Sequence, residues 1–251
     1  MTPKKQRLDL LLLETKDIHS RQRVRALIMA GKVRVDDRII DKPGTLISQD
    51  SVVHLIEDDH PYVSRGGLKL EKALQAFHLN PTGLFCLDVG ASTGGFTDCL
   101  LQHGATHVFA VDVGYGQMAW KLRNDSRVTV IERSNIRYLP DDALPCRVDI
   151  VTIDVSFISL KIVVPAVLKF LNPSAAILAL VKPQFEVGRN KVGKGGVVRD
   201  AALHDEVISE LTRFFHDTGL SYQALVPSPI FGPKGNREFI MFLRFSDVMK
   251  C

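Results

Sequence analysis

From residue 85 onward, short apolar runs alternate with longer stretches of helical period, and this alternation constrains the fold more than any other feature of the chain. The apolar runs span residues 85–89, 107–112, 128–131, 148–154, 175–181, 221–226 and 239–245. Helices are expected over 67–77, after Gly95, through 159–170 and through 201–218. Strand, helix and strand in this rhythm need crossover connections, so the expected fold class is α/β, with one open, mostly parallel sheet and helices on both faces. Residues 227–235 join the last two runs without a helix, which predicts an antiparallel final strand.

Within that pattern lies Leu87-Asp-Val-Gly-Ala-Ser-Thr-Gly-Gly-Phe96, which closes one strand and opens a helix. Glycines there let a ligand approach the backbone and leave helix N–H groups free to receive it. The spacing Gly90-x-x-x-Gly94-Gly95 is not that of a dinucleotide fingerprint. Asp88, at the strand end, suits an amino-acid ammonium. One strand later, Ala110-Val-Asp112-Val-Gly-Tyr-Gly116 brings a carboxylate to the next carboxyl end, where it suits both hydroxyls of a ribose. Together these point to an S-adenosylmethionine site formed by Asp88, Gly90, Ser92, Gly94, Gly95, Phe96, Asp112 and Val113. Asn135, after the third strand, stands where an adenine contact is expected.

The amino-terminal segment is different. Residues 1–42 hold 11 Lys/Arg and 6 Asp/Glu, a balance of +5, whereas the whole chain carries +4. Residues 7–15 read as a short helix, Ser20 as the N-cap of a second over 21–30 with Gly31 as its stop, and residues 33–40 and 51–56 as short strands. The domains expected are 1–59, a linker over 60–65, and 66–251. The basic segment suits an RNA clamp in which Lys4, Lys5, Arg7, Arg21, Arg23 and Arg25 contact phosphates, with Arg65 extending the track. A Gly-rich basic stretch, residues 188–196, reads as a mobile flap over phosphates.

Several classes are excluded. No apolar run approaches the roughly 20 residues of a membrane span, and none forms a signal-peptide core. Cys86, Cys99, Cys146 and Cys251 match no zinc spacing and read as reduced thiols of a cytoplasmic protein. No metal is expected.

The residues resemble a known family. Val63-Ser-Arg-Gly-Gly-Leu-Lys69, Asp154-Val-Ser-Phe-Ile-Ser-Leu160, Val181-Lys-Pro-Gln-Phe-Glu186 and Gly235-Asn-Arg-Glu-Phe239 are similar to motifs of the TlyA, or haemolysin-A, family of ribosomal RNA 2′-O-ribose methyltransferases. The resemblance covers essentially the whole chain. It implies a Rossmann-like methyltransferase sheet of FtsJ type preceded by a small α+β RNA-binding domain of S4 type. It implies cytidine in ribosomal RNA, within ribosomal subunits, as substrate, and a monomer with no membrane partner. It also implies a catalytic tetrad on Lys69, Asp154, Lys182 and Glu238. Some members carry an Arg-x-Trp linker; here the corresponding residues are Asp59-His60-Pro61-Tyr62.

A ribose hydroxyl is a weak nucleophile at neutral pH, so the transfer needs it held in line and its proton removed. On this reading Lys182 is the base, Asp154 orients it, Lys69 brings a second cation and Glu238 holds a lysine and the ribose. Three alternatives stand beside it. A base methyltransferase would use an Asn/Asp-Pro-Pro-aromatic motif, which is absent, or a cysteine beside the cofactor. The others are a membrane-active haemolysin and an RNA-binding protein without catalysis.

Overall fold

The computed structural model describes residues 5–15, 21–29, 31–55, 60–188, 191–193 and 195–245. Lys4, Ser20 and Cys251, and the side chain of Arg23, lie outside what it describes. The chain forms two compact units, Met1–Pro61 and Tyr62–Cys251.

In the first unit, β1 (Lys5–Arg7) pairs antiparallel with β4 (Leu46–Ser48), and β2 (Val33–Val35) lies between β3 (Arg38–Ile39) and β5 (Val53–Leu55). Two helices, α1 (Leu8–Thr15) and α2 (Arg21–Met29), bury Leu8, Leu11, Leu12, Val24 and Ile28 against Val33, Val35 and Ile47. The single strand expected over 33–40 is a hairpin. Asp36 and Asp37 take φ of 45° and 66°, the primed two-residue turn whose twist matches the flanking strands. Aspartate tolerates that region better than most side chains, so the acidic pair marks a turn.

In the second unit, α3 (Gly66–Ala76) precedes a seven-stranded sheet. Its strands are β6 (Phe85–Val89), β7 (His107–Val111), β8 (Val128–Ile131), β9 (Val148–Ile153), β10 (Leu171–Val181), β11 (Leu220–Pro227) and β12 (Phe239–Phe245). The spatial order is β11-β12-β10-β9-β6-β7-β8. The five strands from β10 to β8 are parallel, and β12 runs antiparallel to both neighbours. Side chains alternate along each strand: Ile177, Ala179 and Val181 of β10 face one core, and Leu178 and Leu180 the other. The first core takes α6 (Leu160–Val167) and α8 (Ala201–Asp217); the second takes α3 and α4 (Gly95–Gln102).

The chain proceeds from β6 outward through β7 and β8, then returns to place β9 on the other side of β6. The crevice at the carboxyl ends of β6 and β9 is therefore the switch point where such sheets bind ligands. Two short helices were not expected, α5 (Trp120–Arg123) and α7 (Pro183–Glu186). Each is four residues long, too short for a periodic signal. Tyr62, within the linker expected over 60–65, is buried in the second unit, its ring against Gly67 and its hydroxyl donating to Glu71 at 2.9 Å.

Candidate active site

The carboxyl ends of β6 and β9 open on a cleft of about 740 Å³. One wall is the glycine loop: Gly90, Ala91, Ser92 and Thr93, then Gly95 and Phe96 at the start of α4. A second is Ser64, Arg65, Gly66 and Lys69 of α3 and its approach, and residues 230–235 form a third.

The glycines have separate reasons. A side chain at Gly90 would strike the Asp154 carbonyl at 2.4 Å, and one at Gly95 would strike Ser64 Oγ at 2.2 Å. Gly94, at φ +95°, faces Leu122 and Met118 and serves the packing of α4 more than the cleft. Ser92 is exposed, and its backbone N–H donates to Asp112 Oδ2 at 2.8 Å. Asp112 Oδ1 accepts from Gly114 N–H at 2.6 Å, so the carboxylate ties the glycine loop, through Ser92, to the turn after β7. Val113 is 70% exposed beside it. Asn135 caps the helical turn Ile136–Tyr138 through Oδ1, which accepts the Arg137 backbone N–H.

Asp88 departs from expectation. It is fully buried and bound by two threonines, Thr97 Oγ1 donating to Oδ2 at 2.7 Å and Thr152 Oγ1 to Oδ1 at 3.0 Å. Burial pushes its carboxyl up to about 6 against the pull of those hydroxyls. It joins β6, β9 and α4 beneath the cleft and offers nothing to an ammonium in it.

The four motif residues from distant parts of the chain form two pairs, Lys69 with Glu238 buried and Lys182 with the half-buried Asp154. Lys182 ends β10 in an extended conformation, φ −118° and ψ 96°, as a residue before proline must. Its Nζ lies 2.6 Å from Asp154 Oδ1 and donates to Ser156 Oγ at 2.9 Å. Lys69 of α3 donates to Glu238 Oε2 at 2.6 Å, and the other Glu238 oxygen is buried with no hydrogen-bond partner among the described residues. Lys69 and Asp154 line the same cleft.

Several residues that sequence reasoning missed hold this arrangement. Glu186 accepts from Ser159 Oγ at 2.6 Å and from the Leu160 N–H at 2.8 Å, which fixes the far end of the loop that carries Asp154 and Ser156. Phe157, in that loop, is 90% exposed at φ 65°, its ring 4.9 Å from that of Phe185. An exposed phenylalanine in left-handed backbone is strained twice over, by hydration and by φ, as functional positions often are. Asp98 accepts the Val63 N–H at 2.8 Å and pairs with Lys121, drawing the approach to α3 against α4.

The stretch over 188–196, expected as a mobile flap, is described only in part, residues 189, 190 and 194 lying outside the described residues. Asn236 donates to Gly196 O and accepts from the Val198 N–H, and Lys191 is paired with Glu206. The basic residues diverge in role. Lys5 and Arg25 are exposed, and Arg65 lines the cleft, whereas Arg7 and Arg21 share the carboxylate of Asp9. Neither cysteine flanking the glycine motif is placed as a nucleophile: Cys86 and Cys99 are both fully buried, and burial raises both thiols, Cys99 to about 12. No helix among the described residues is long and apolar enough to cross a membrane.

Comparison with known proteins matches residues 62–245 to the FtsJ-like methyltransferase model and residues 6–53 to the S4 domain model. The chain is 47% identical over 239 residues to the 16S/23S rRNA (cytidine-2′-O)-methyltransferase TlyA of Mycobacterium tuberculosis, covering 95% of this chain and 89% of that protein. It is 33% identical over 184 residues to the 23S rRNA (cytidine-2′-O)-methyltransferase TlyA of Campylobacter jejuni, covering 72% and 70%. Among solved structures, a candidate hemolysin of Streptococcus thermophilus superposes with a TM-score of 0.76 at 44% identity, covering 98% of this chain and 90% of that one.

Proposed function

The chain belongs to the FtsJ-like methyltransferase family and carries an S4 domain ahead of its catalytic unit, and from that premise we propose that it methylates the 2′-hydroxyl of a cytidine ribose in ribosomal RNA of the small subunit, the large subunit or both. S-adenosylmethionine is the cofactor, and when bound it supplies a methyl group activated on a sulfonium. The cleft suits such a molecule. Gly90 and Gly95 let the glycine loop pack closely against the Asp154 carbonyl and Ser64 at the cleft wall, Phe96 adds an apolar surface, and each Asp112 oxygen keeps a lone pair for a ribose hydroxyl.

On the acceptor side, Lys182 takes the 2′-hydroxyl proton. Asp154 and Ser156 hold its Nζ from two directions, so the remaining tetrahedral direction is left for the ribose. Asp154 thus acts on the substrate through Lys182. Lys69 and Glu238 set a second polar pair at the cleft, and the unpartnered Glu238 oxygen is an acceptor in reserve for that ribose. Exclusion of water from the buried lysines strengthens each of these interactions. One observation carries this reading: both lysines are buried, each 2.6 Å from a carboxylate of the tetrad, and Lys69 and Asp154 line a glycine-walled cleft.

Arg65 leads substrate phosphates toward the cleft, and Lys5, Arg7, Arg21 and Arg25 of the amino-terminal unit hold RNA without reading its sequence. Such a protein works in the cytoplasm, on ribosomal subunits. The test is transfer of a tritiated methyl group to separated ribosomal subunits, followed by mapping of the modified ribose. Label on a cytidine ribose is expected. Label on a base, or none on either subunit, refutes the reading. Lys182→Ala should abolish transfer while cofactor binding persists; substantial residual transfer would remove Lys182 as the base.

A further inference from the structure

Lys182 is the N-cap of α7, and Phe185 and Glu186 lie within it, so the three stand at i, i+3 and i+4, the spacing of one helix face. That face meets one loop, residues 154–160, in chain order. Lys182 takes Asp154 and Ser156, the Phe185 ring lies against that of Phe157, and Glu186 accepts from Ser159 Oγ and from the Leu160 N–H. A helix of four residues thus holds three successive parts of the loop that carries the partners of Lys182.

The loop needs holding. Phe157 keeps left-handed backbone at φ 65°, a conformation that costs an L side chain energy and persists only where the surroundings impose it. Lys182 fastens the loop before that residue, and Glu186 fastens it after. Helix capping does not account for Glu186. Ser159 already caps α6, its Oγ accepting the Lys161 N–H at 3.1 Å. A further acceptor for a helix start ordinarily comes from its own first turn, where a capping box places Glu or Gln. The first turn of α6 is Leu160-Lys-Ile-Val163, and the acceptor comes instead from 26 positions away, on the turn that begins at Lys182.

We propose that Glu186 is a positioning residue for methyl transfer: by fixing Ser159 and Leu160 against the same helical turn that carries Lys182, it keeps Asp154 and Ser156 in place around Lys182 Nζ and so aims the base. This rests on the reading of Lys182 as the base. Glu186 does not line the cleft and acts through the loop. Base and brace are four positions apart on one turn, so they keep a fixed spacing, and the loop partners of Lys182 are set relative to Lys182 itself.

The test is single-turnover methyl transfer to ribosomal subunits by the full-length chain, with affinities for S-adenosylmethionine and for the subunits measured separately. Glu186→Ala is expected to lower the transfer rate by about 10- to 100-fold while both affinities stay unchanged. The acid limb of the rate against pH should also move to lower pH, because a displaced Asp154 no longer favours the charged form of the lysine. A brace that only supports the fold moves neither. Glu186→Gln keeps an acceptor for the Leu160 N–H and a partner for Ser159, and is expected to restore most of the rate. Thermal melts check folding, and Ser159→Ala, which removes one of the two donors, carries the test if Glu186→Ala unfolds. An unchanged rate and acid limb in whichever of the two is folded overturns the proposal, and so does a rate lost as fully in Glu186→Gln as in Glu186→Ala. No transfer by the wild-type chain, or full transfer by Lys182→Ala, would instead overturn the reading on which it rests.

Discussion

Lys69 Nζ and Glu238 Oε2, 169 positions apart in the chain, lie 2.6 Å from each other in a buried pair that joins α3 to the start of β12. Neither charge is tolerable there alone. Glu238→Ala should therefore destabilise the catalytic unit by about 3–5 kcal/mol, since it strands an ammonium in the interior. The double variant Lys69→Met, Glu238→Leu should recover much of that stability and none of the activity. Urea unfolding and methyl transfer on the three proteins check this. Equal stability of the single and double variants would show that the pair is not coupled.

Asp88 makes a pH prediction. Its folded-state value is raised from 3.8 to about 6, chiefly by burial. The folded protein therefore holds that proton more tightly than the unfolded chain. The associated stability is present below 3.8 and is lost as the pH rises through 6, an effect of up to about 3 kcal/mol. Asp88→Asn, which still bonds Thr97 and Thr152, should match the wild type near pH 4 and exceed it at pH 7 and above. Thermal melts across that range measure it. Cofactor affinity should be unchanged, because the carboxylate lies beneath the cleft; a large loss would restore Asp88 to the binding surface.

Asp112→Ala should weaken S-adenosylmethionine binding by about 10- to 100-fold, as the loss of a charged acceptor for hydroxyls implies. It should also loosen the glycine loop, because the Ser92 and Gly114 N–H groups lose their acceptor. Calorimetry reads the first effect and amide hydrogen exchange at those two positions the second.

Phe157 combines 90% exposure with φ 65°. Phe157→Gly should melt no lower than the wild type, since it relieves about 1 kcal/mol of backbone strain while losing little burial. Methylation should nevertheless fall, because an exposed ring next to Ser156 is suited to stack on a base of the bound RNA. Retained activity would make the ring incidental.

The order of elements in the catalytic unit was legible in the sequence because it rests on local rules. Apolar period, Gly90 and Gly94 at positive φ, Pro183 after Lys182 and the helixless link before β12 each act within a few residues. The hairpin over 33–39 was missed because the apolar alternation ran through the Asp36-Asp37 turn, and α5 and α7 because one turn carries no period. A long-range contact was also hidden: Asn236, 40 positions from Gly196, donates to the Gly196 carbonyl at 3.1 Å.

By itself the sequence determined the chain's two-part organisation, the glycine loop, and which residue types could carry methyl transfer. Beyond the Lys182–Asp154 contact that the motifs led one to expect, only the tertiary structure decided how charges pair. It buried Asp88 under two threonines, gave Asp9 two arginines, and matched Glu238 with Lys69. Periodicity reports which face of an element is apolar, and it reports this locally. The partner of a buried charge is set by which elements the sheet order brings together, so it is written in the topology and in no stretch of the chain.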